Sequence, residues 1–168
     1  TRRFCNVRRE DDRVTRWFRE KVREPFVDHP NLWLMLCICR AINLPETIAE
    51  LIDDPSGVAW PRCNFCPDAM AEVMAKRQNR GQKLYTAAYV IPGPRRQGES
   101  KYGYVARTVI GDLWRRRGEF DVAYWNDATL ESTHTLLKQS TGWGDFLAYQ
   151  AVVDMRFCPR LLAHARDV

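Results

Sequence analysis

The sequence predicts an all-α fold, an orthogonal array of helices with little sheet. Apolar side chains recur at three- and four-residue intervals in several segments, and proline, glycine and capping residues bound these segments. The chain has 168 residues, 45% of them hydrophobic, with six tryptophans, which is enough to bury a core without disulfides. We therefore expect a single helical domain over residues 1–168.

Four helices are predicted in the first half of the chain. An amphipathic helix is expected over 10–24, and a nearly all-apolar helix over 31–43 should be central. A third helix is expected to begin near Pro45, since proline suits a first turn, and to end at 55–57. The fourth covers 67–78 and stops at a glycine.

The second half contains a glycine- and proline-rich loop followed by more helices. Residues 85–91 are compatible with an extended segment or a buried helical turn, and 92–103 are expected to form a mobile loop. A helix should resume over 105–114 and another should begin at Asn126. A helix-hairpin-helix element is expected at about 128–158.

The charge balance permits a nucleic-acid partner without requiring one. Lys and Arg total 26 against 21 acidic residues, which gives a formal net charge of +5 and a pI near 9.0. The longest apolar stretch, 32–44, contains Arg40 and is too short to span a bilayer. We expect a cytoplasmic protein with no membrane partner. Because the chain does not begin with Met, we also expect it to be a segment of a longer protein.

The six cysteines are expected to be reduced thiols, because two of them lie in an apolar helical run and the chain is not a small loop-rich fold. Cys63 and Cys66 have the spacing of a metal knuckle, but no second pair follows at a useful distance and the histidines are scattered. No metal site built from protein residues alone is therefore predicted.

The hairpin near the C-terminus is the most informative segment. Gly142 and Gly144 flank Trp143 and open a helix, so free N–H groups at the helix start can face a DNA phosphate. Trp143 either faces DNA or fills a groove. Gln150 and Asp154 form a polar pair one turn apart in a mostly apolar helix. The alternative is an ordinary turn, with Asp154 capping a neighbouring helix or pairing with an arginine.

A second group of polar residues lies near the N-terminus. Asn6, Arg9, Asp12 and Arg13 follow one another at short intervals and would share a face of a helix or helix entry. A solvated charged face is the alternative interpretation.

Three segments together resemble a known family. They are the opening R-F-x-N-V-x-R-x-x-D-R-x-T from Arg3 to Thr15, the A-A-Y-V-I of 87–91 leading to Lys101, and G-W-G-D-F-L-A-Y-Q-A-V-V-D-M from Gly142 to Met155. The chain resembles the alpha-glutamyl/putrescinyl thymine pyrophosphorylases, or amino acid:DNA transferases. It is also similar to the helical domain of 5-hydroxymethyluridine DNA kinases and to helix-hairpin-helix DNA glycosylases.

The resemblance implies a transferase that hypermodifies thymine in bacteriophage DNA, in the infected host cell. An amine or amino acid would replace the diphosphate on the 5-hydroxymethyl group of uracil, releasing pyrophosphate. Asp12 would orient Arg9 or Arg13, or help hold a magnesium ion on the diphosphate. A P-loop DNA kinase as a partner is a further expectation of the resemblance.

Residue roles follow from this reaction. Asp154 would accept the proton of the amine, held by Gln150, while Asn6 and Gln150 read the pyrimidine edge. Arg9, Arg13 and Lys101 would bind the diphosphate. DNA contacts are expected at the hairpin, Gly142, Trp143 and Gly144, and from Arg95 and Arg96 of the loop.

Other functions remain open at this point. A DNA glycosylase would use the same hairpin and aspartate but release a free base. A kinase helical domain would grip DNA for a P-loop neighbour, since no G-x-x-x-x-G-K-[ST] occurs in these 168 residues. A DNA-binding or assembly protein would use the hairpin as a sequence-neutral phosphate contact.

Overall fold

The computed structural model describes residues 8–87, 91 and 97–165. Regular secondary structure in these ranges is helical, with no strand among the described residues. The predicted all-α fold class is confirmed.

The described residues of the first half of the chain form four α-helices. They are α1 (Arg13–Phe18), α2 (Leu32–Ile42), α3 (Pro45–Ile52) and α4 (Pro67–Asn79). A 3-10 turn (Arg9–Asp11) precedes α1, and a π-helical segment (Arg19–Arg23) continues it. The predicted helix over 10–24 is therefore present, but its hydrogen bonding changes along its length.

The second half contains five α-helices within the described residues. They are α5 (Lys101–Gly103), α6 (Gly111–Arg115), α7 (Val122–Asp127), α8 (Leu130–Lys138) and α9 (Asp145–Met155). A π-helical segment (Tyr104–Ile110) joins α5 to α6 without a break, and a 3-10 turn (Arg117–Phe120) precedes α7.

Helix α2 forms the centre of the core, as predicted. All its residues from Leu32 to Ile42 are buried, and it packs against α9, which in turn packs against α8. An apolar helix of this kind is stable only where other helices cover it on every side. This packing brings α9, which carries Gln150 and Asp154, against α2.

Two predicted helix starts are wrong because the true caps lie elsewhere. The helix predicted over 105–114 begins four residues earlier, where the Ser100 hydroxyl accepts a hydrogen bond from the Gly103 N–H at 3.1 Å. The helix predicted to begin at Asn126 is two helices separated at Ala128 and Thr129. Thr129 and Ser132 form a capping box with bonds of 3.0 and 2.9 Å, which starts α8.

The segment predicted as either extended or helical is neither where it is described. Residues 82–87 lie outside regular elements, and 88–90 are outside the described residues. Part of the predicted mobile loop, 92–96, also lies outside them, and its last three residues, 101–103, form α5 instead of loop. In the described part of the chain, no helix is both long and apolar enough to cross a membrane.

Candidate functional site

The site is built around the Asp154 carboxylate on α9. Asp154 is only 2% exposed, and Gln150, one turn earlier on the same helix, is 8% exposed. A carboxylate buried this deeply requires partners that restore the interactions it loses with water.

Arg9 bonds to Asp154 and to Gln150 through its three guanidinium nitrogens. Its Nε donates to Asp154 Oδ1 at 3.0 Å, its Nη1 to Gln150 Oε1 at 2.5 Å, and its Nη2 to the Gln150 carbonyl at 2.9 Å. Every guanidinium nitrogen of Arg9 is thus bonded to α9, although its side chain is still 21% exposed. Of the described residues that bond to the Asp154 carboxylate, Arg9 is the one that reaches the surface.

Arg40 holds the same carboxylate from the other side. Its Nε donates to Asp154 Oδ2 at 2.5 Å and its Nη2 to Asp154 Oδ1 at 2.8 Å, a bidentate pair in which both side chains are almost fully buried. Arg40 Nη2 also donates to Thr15 Oγ1 at 3.0 Å, and the guanidinium lies over the Phe18 ring at 5.0 Å.

The network continues from Arg40 toward the segment after α4. Arg40 Nη1 is 3.4 Å from Asn43 Oδ1, and Asn43 Nδ2 donates to Thr86 Oγ1 at 3.1 Å. Asn43 ends α2 with a φ of +52°, a conformation that asparagine tolerates better than most residues. This hydrogen-bond network therefore connects α1, α2, α9 and residue 86.

The cluster carries an excess of positive charge. Among the described residues, two guanidinium groups, of Arg9 and Arg40, contact the Asp154 carboxylate, so these three groups sum to one positive charge. Asp154 offsets the buried charge of Arg40, while the Arg9 guanidinium extends from that pair to the surface. Such an arrangement favours an anion at the exposed edge of Arg9.

The turn that carries Arg9 is anchored on both sides. Glu10 accepts hydrogen bonds from both Nη atoms of Arg23, one at 3.1 Å, and lies 3.7 Å from Arg19. Asp12 caps α1 by accepting the Thr15 N–H at 2.8 Å. These contacts fix the 3-10 turn and so limit where the Arg9 guanidinium can lie.

The structure brings together only some of the predicted site residues. Arg9, Gln150 and Asp154 are in direct contact. Arg13 lines a groove of about 380 Å³ with Arg16 and Trp17.

Lys101 lies elsewhere, 4.7 Å above the Tyr85 ring in a cavity of about 250 Å³. Within the described residues, neither the groove at Arg13 nor the cavity at Lys101 is lined by Arg9 or Asp154. Asn6, Arg95 and Arg96 are outside the described residues.

Arg40 is a site residue that the sequence reasoning missed. It is the single charged residue of α2, where every other side chain from Leu32 to Ile42 is uncharged and buried. That pattern was the available signal, because a buried arginine in an apolar helix needs an acidic partner. The sequence does not show that this partner is Asp154.

The hairpin places its two glycines in different roles. Gly142 has a φ of +83°, and a Cβ there would lie 2.6 Å from Val109 Cγ2, whereas a Cβ on Gly144 would meet nothing within 4 Å. Trp143 is 3% exposed and its Nε1 donates to the Val109 carbonyl at 3.3 Å. Its ring thus fills a groove, the second of the two sequence-based interpretations.

The N-terminus of α9 already has charged neighbours. Asp145 forms an ion pair with Lys138, and His134 lies 4.0 Å away. The hydrogen bond from Lys138 lowers the pKa of Asp145. A carboxylate in the first helical turn is stabilised by the helix dipole.

The thiols and possible metal ligands show no catalytic arrangement in the part of the chain that is described. Cys37, Cys39, Cys63, Cys66 and Cys158 are free cysteines, as expected. Burial raises the pKa of the Cys37 and Cys39 thiols well above the ordinary value, so neither is a ready nucleophile. No group of three or more His, Cys, Asp or Glu residues able to hold a metal occurs among the described residues.

Comparison with known proteins gives one result. The model of the family described as "5-hmdU DNA kinase, helical domain" matches residues 1–167, almost the whole chain. No curated protein and no solved structure matches the chain. The match covers both the segment that carries Arg9 and the helix that carries Asp154, and the chain therefore belongs to the family of 5-hmdU DNA kinase helical domains.

Proposed function

We propose that this chain acts on modified thymine in DNA and transfers an amine or amino acid onto the diphosphorylated 5-hydroxymethyl group of uracil, with release of pyrophosphate. Family membership supports a role in the metabolism of 5-hydroxymethyluracil DNA. The observation that carries the finer proposal is the Arg9–Asp154–Arg40 cluster, with its excess positive charge and one partly exposed arginine.

In this reaction the bond between the 5-methylene carbon and the diphosphate oxygen breaks, and a carbon–nitrogen bond forms. The electron pair of the broken bond leaves with pyrophosphate, whose charge must be stabilised as it develops. The exposed edge of Arg9 is suited to this, because Asp154 and Gln150 fix the guanidinium before the substrate arrives. Arg13 and Lys101 would have to reach the diphosphate from the neighbouring groove and cavity.

The contacts of Asp154 support an orienting role more directly than a basic one. Both carboxylate oxygens accept guanidinium N–H groups, from Arg9 and from Arg40. The proton that the attacking amine loses could pass to Asp154 only if one of these bonds lengthened. Proton acceptance by Asp154, a pyrimidine contact from Gln150 and a magnesium ion on the diphosphate remain predictions.

Nucleoside mass spectrometry tests the proposal. DNA containing 5-hydroxymethyluracil is first diphosphorylated by a kinase, then incubated with the protein and a mixture of amines and amino acids. We expect an amine-bearing thymidine from the native protein and its loss in Arg9→Gln, which removes the cation but keeps a polar side chain. Arg80→Gln is the matched control, because Arg80 forms a surface ion pair with Glu50 and lies outside the cluster.

The main alternative is a helical domain that grips DNA for a P-loop kinase, and the description of the matching family is compatible with it as well. The same experiment separates the alternatives. An unchanged diphosphorylated base with DNA still bound would contradict the transferase and support the kinase-associated domain. Free base and abasic sites would instead indicate a glycosylase.

A further inference from the structure

A large cavity lies away from the arginine–aspartate cluster. It measures about 730 Å³ and is lined by the first turn of α2, the 117–126 segment and the turns after α9. Trp33 lines it, while Arg40 lies seven residues further along α2, about 10 Å along the helix axis. Among the described residues, none of the cluster members lines this cavity.

The inner wall of the cavity is aromatic and firmly held. Trp33 and Phe120 stack at 4.1 Å between centroids with an angle of 13°, and both are almost fully buried. Trp125 Nε1 donates to the Phe120 carbonyl at 3.0 Å, so its indole N–H is satisfied within the protein. Because Trp33 and Phe120 cover each other, they form a rigid backing, and the apolar surface open to a ligand comes from residues such as Val122, which is 74% exposed. A cavity of this volume with an apolar lining and a few polar groups is typical of a small-ligand site.

The mouth of the cavity adds a fixed cation. The Arg117 guanidinium lies 4.5 Å from the centroid of the Trp114 ring, and its Nη1 donates to the Trp114 carbonyl at 2.9 Å. Within the described residues, these contacts leave other N–H donors of Arg117 available to an anion. Arg160 also lines the cavity, but Asp28 pairs with it at 3.0 Å. Arg117 is therefore the better anion contact.

The mouth also carries an amide that can recognise a heterocycle. Asn126 is exposed, lines the cavity and, within the described residues, makes no side-chain hydrogen bond. An asparagine amide offers a donor and an acceptor side by side, the pattern that a nucleobase edge presents. The neighbouring Asp121 carboxylate caps α7 by accepting the Tyr124 N–H at 2.8 Å, and its negative charge lowers the affinity of the mouth for an anion without removing the Arg117 contact.

We propose that this cavity binds a nucleotide, with the base against its apolar lining and Asn126, and the phosphate at Arg117. The ligand is either a free nucleoside monophosphate or one nucleotide of a single DNA strand, since both present the same ring and phosphate. The proposal does not depend on the transferase reaction, because the cavity and the Arg9–Asp154–Arg40 cluster share no described residue.

The test uses the whole chain and three probes: thymidine, thymidine 5′-monophosphate and a single-stranded thymidine octanucleotide. Binding is followed by calorimetry and by tryptophan fluorescence, to which Trp33 and Trp125 contribute. Arg117→Gln removes the proposed phosphate contact. Val122→Trp fills the mouth from a position that is 74% exposed, so the fold should tolerate it. Arg115→Gln removes the same charge two residues away, at a side chain that does not line the cavity.

We expect the monophosphate to bind more tightly than thymidine, and Arg117→Gln to weaken the monophosphate by about tenfold. Val122→Trp should abolish binding, while Arg115→Gln should leave it unchanged. If the octanucleotide alone binds with this same variant pattern, the ligand is a nucleotide within a strand.

Two results would overturn the proposal. One is the absence of saturable binding for every probe, and the other is equal weakening by Arg117→Gln and Arg115→Gln, which indicates nonspecific charge. Neither of these outcomes decides whether amine transfer occurs, so the two proposals can fail independently.

Discussion

Arg40 is the residue on which the described site depends most. It contacts Asp154 through two nitrogens and also reaches Thr15 and Asn43, so a single side chain joins three parts of the chain. A buried ion pair of this kind contributes little net stability relative to a well-packed apolar pair, but breaking it leaves an uncompensated charge.

We predict that Arg40→Met destabilises the fold by about 3–5 kcal/mol, because the buried Asp154 carboxylate loses the hydrogen bonds that it accepts from the Arg40 guanidinium. Urea denaturation at neutral pH measures the change. Arg80→Met is the control: its ion pair with Glu50 is half exposed and should matter by no more than about 1 kcal/mol. Equal effects of the two substitutions would show that Asp154 is adequately held by Arg9 alone.

At the scale of elements, the hairpin before α9 determines how that helix enters the core. Its conformation requires glycine at one position only. Gly142 has a left-handed φ and lies against Val109, whereas Gly144 has a φ of −85° and open space around it.

We therefore predict that Gly142→Ala lowers the Tm by about 4–8 °C, through a left-handed backbone cost of about 2 kcal/mol and the overlap with Val109. Gly144→Ala, the matched control, should change the Tm by less than about 2 °C. Thermal unfolding followed by circular dichroism gives both values. A tolerated Gly142→Ala would mean that the hairpin can adopt another turn.

Helices α3 and α4 are joined by a surface ion-pair group. Arg77 and Arg80 donate to the two oxygens of Glu50 at 2.5 and 2.6 Å. Partial burial alone would raise the pKa of Glu50, but the hydrogen bonds from Arg80 and Arg77 outweigh it, and the pKa of this carboxyl is lowered. The ionised carboxylate is therefore the form that stabilises the folded state.

A carboxyl with a lowered pKa stabilises the protein above its unfolded pKa, and that contribution disappears as the pH falls through the folded pKa. We predict that Glu50→Gln is less stable than the native protein at pH 7. The difference should shrink as the pH falls below about 4. Urea denaturation at several pH values measures it, with Glu72→Gln, an exposed residue of α4, as the control. A pH-independent difference would indicate a packing effect instead.

For the whole molecule, the buried apolar side chains form one continuous cluster that runs from Phe18 to Leu162 within the described residues. The prediction of a single domain over residues 1–168 can be tested through this continuity. Helix α9 packs against both α2 and α8, so the unfolding of one of these helices should expose the apolar surface of its neighbours.

We predict one cooperative unfolding transition, with coincident midpoints by far-ultraviolet circular dichroism and by tryptophan fluorescence. The tryptophans report on well-separated parts of the sequence, since Trp17 and Trp60 lie in the first half and Trp125 and Trp143 in the second. Two separated midpoints would divide the chain into independent units and contradict the single-domain prediction.

The sequence by itself determined the helical class, the central position of α2 and the pairing of Gln150 with Asp154 on one helix. These depend on periodicity and on residue types that act within a few positions of one another. The N-terminal motif also identified Arg9, the residue that later proves to contact Asp154.

The tertiary structure alone decided which charges meet. The contact of Arg40 with Asp154 spans 114 positions and that of Arg9 with Asp154 spans 145, so no local sequence pattern predicts either contact. Only the packing of α2 against α9 brings these side chains together, and it also places Arg13 and Lys101 outside the cluster. The physical reason is that burial demands a partner for each charge but does not specify, within the sequence, which distant residue supplies it.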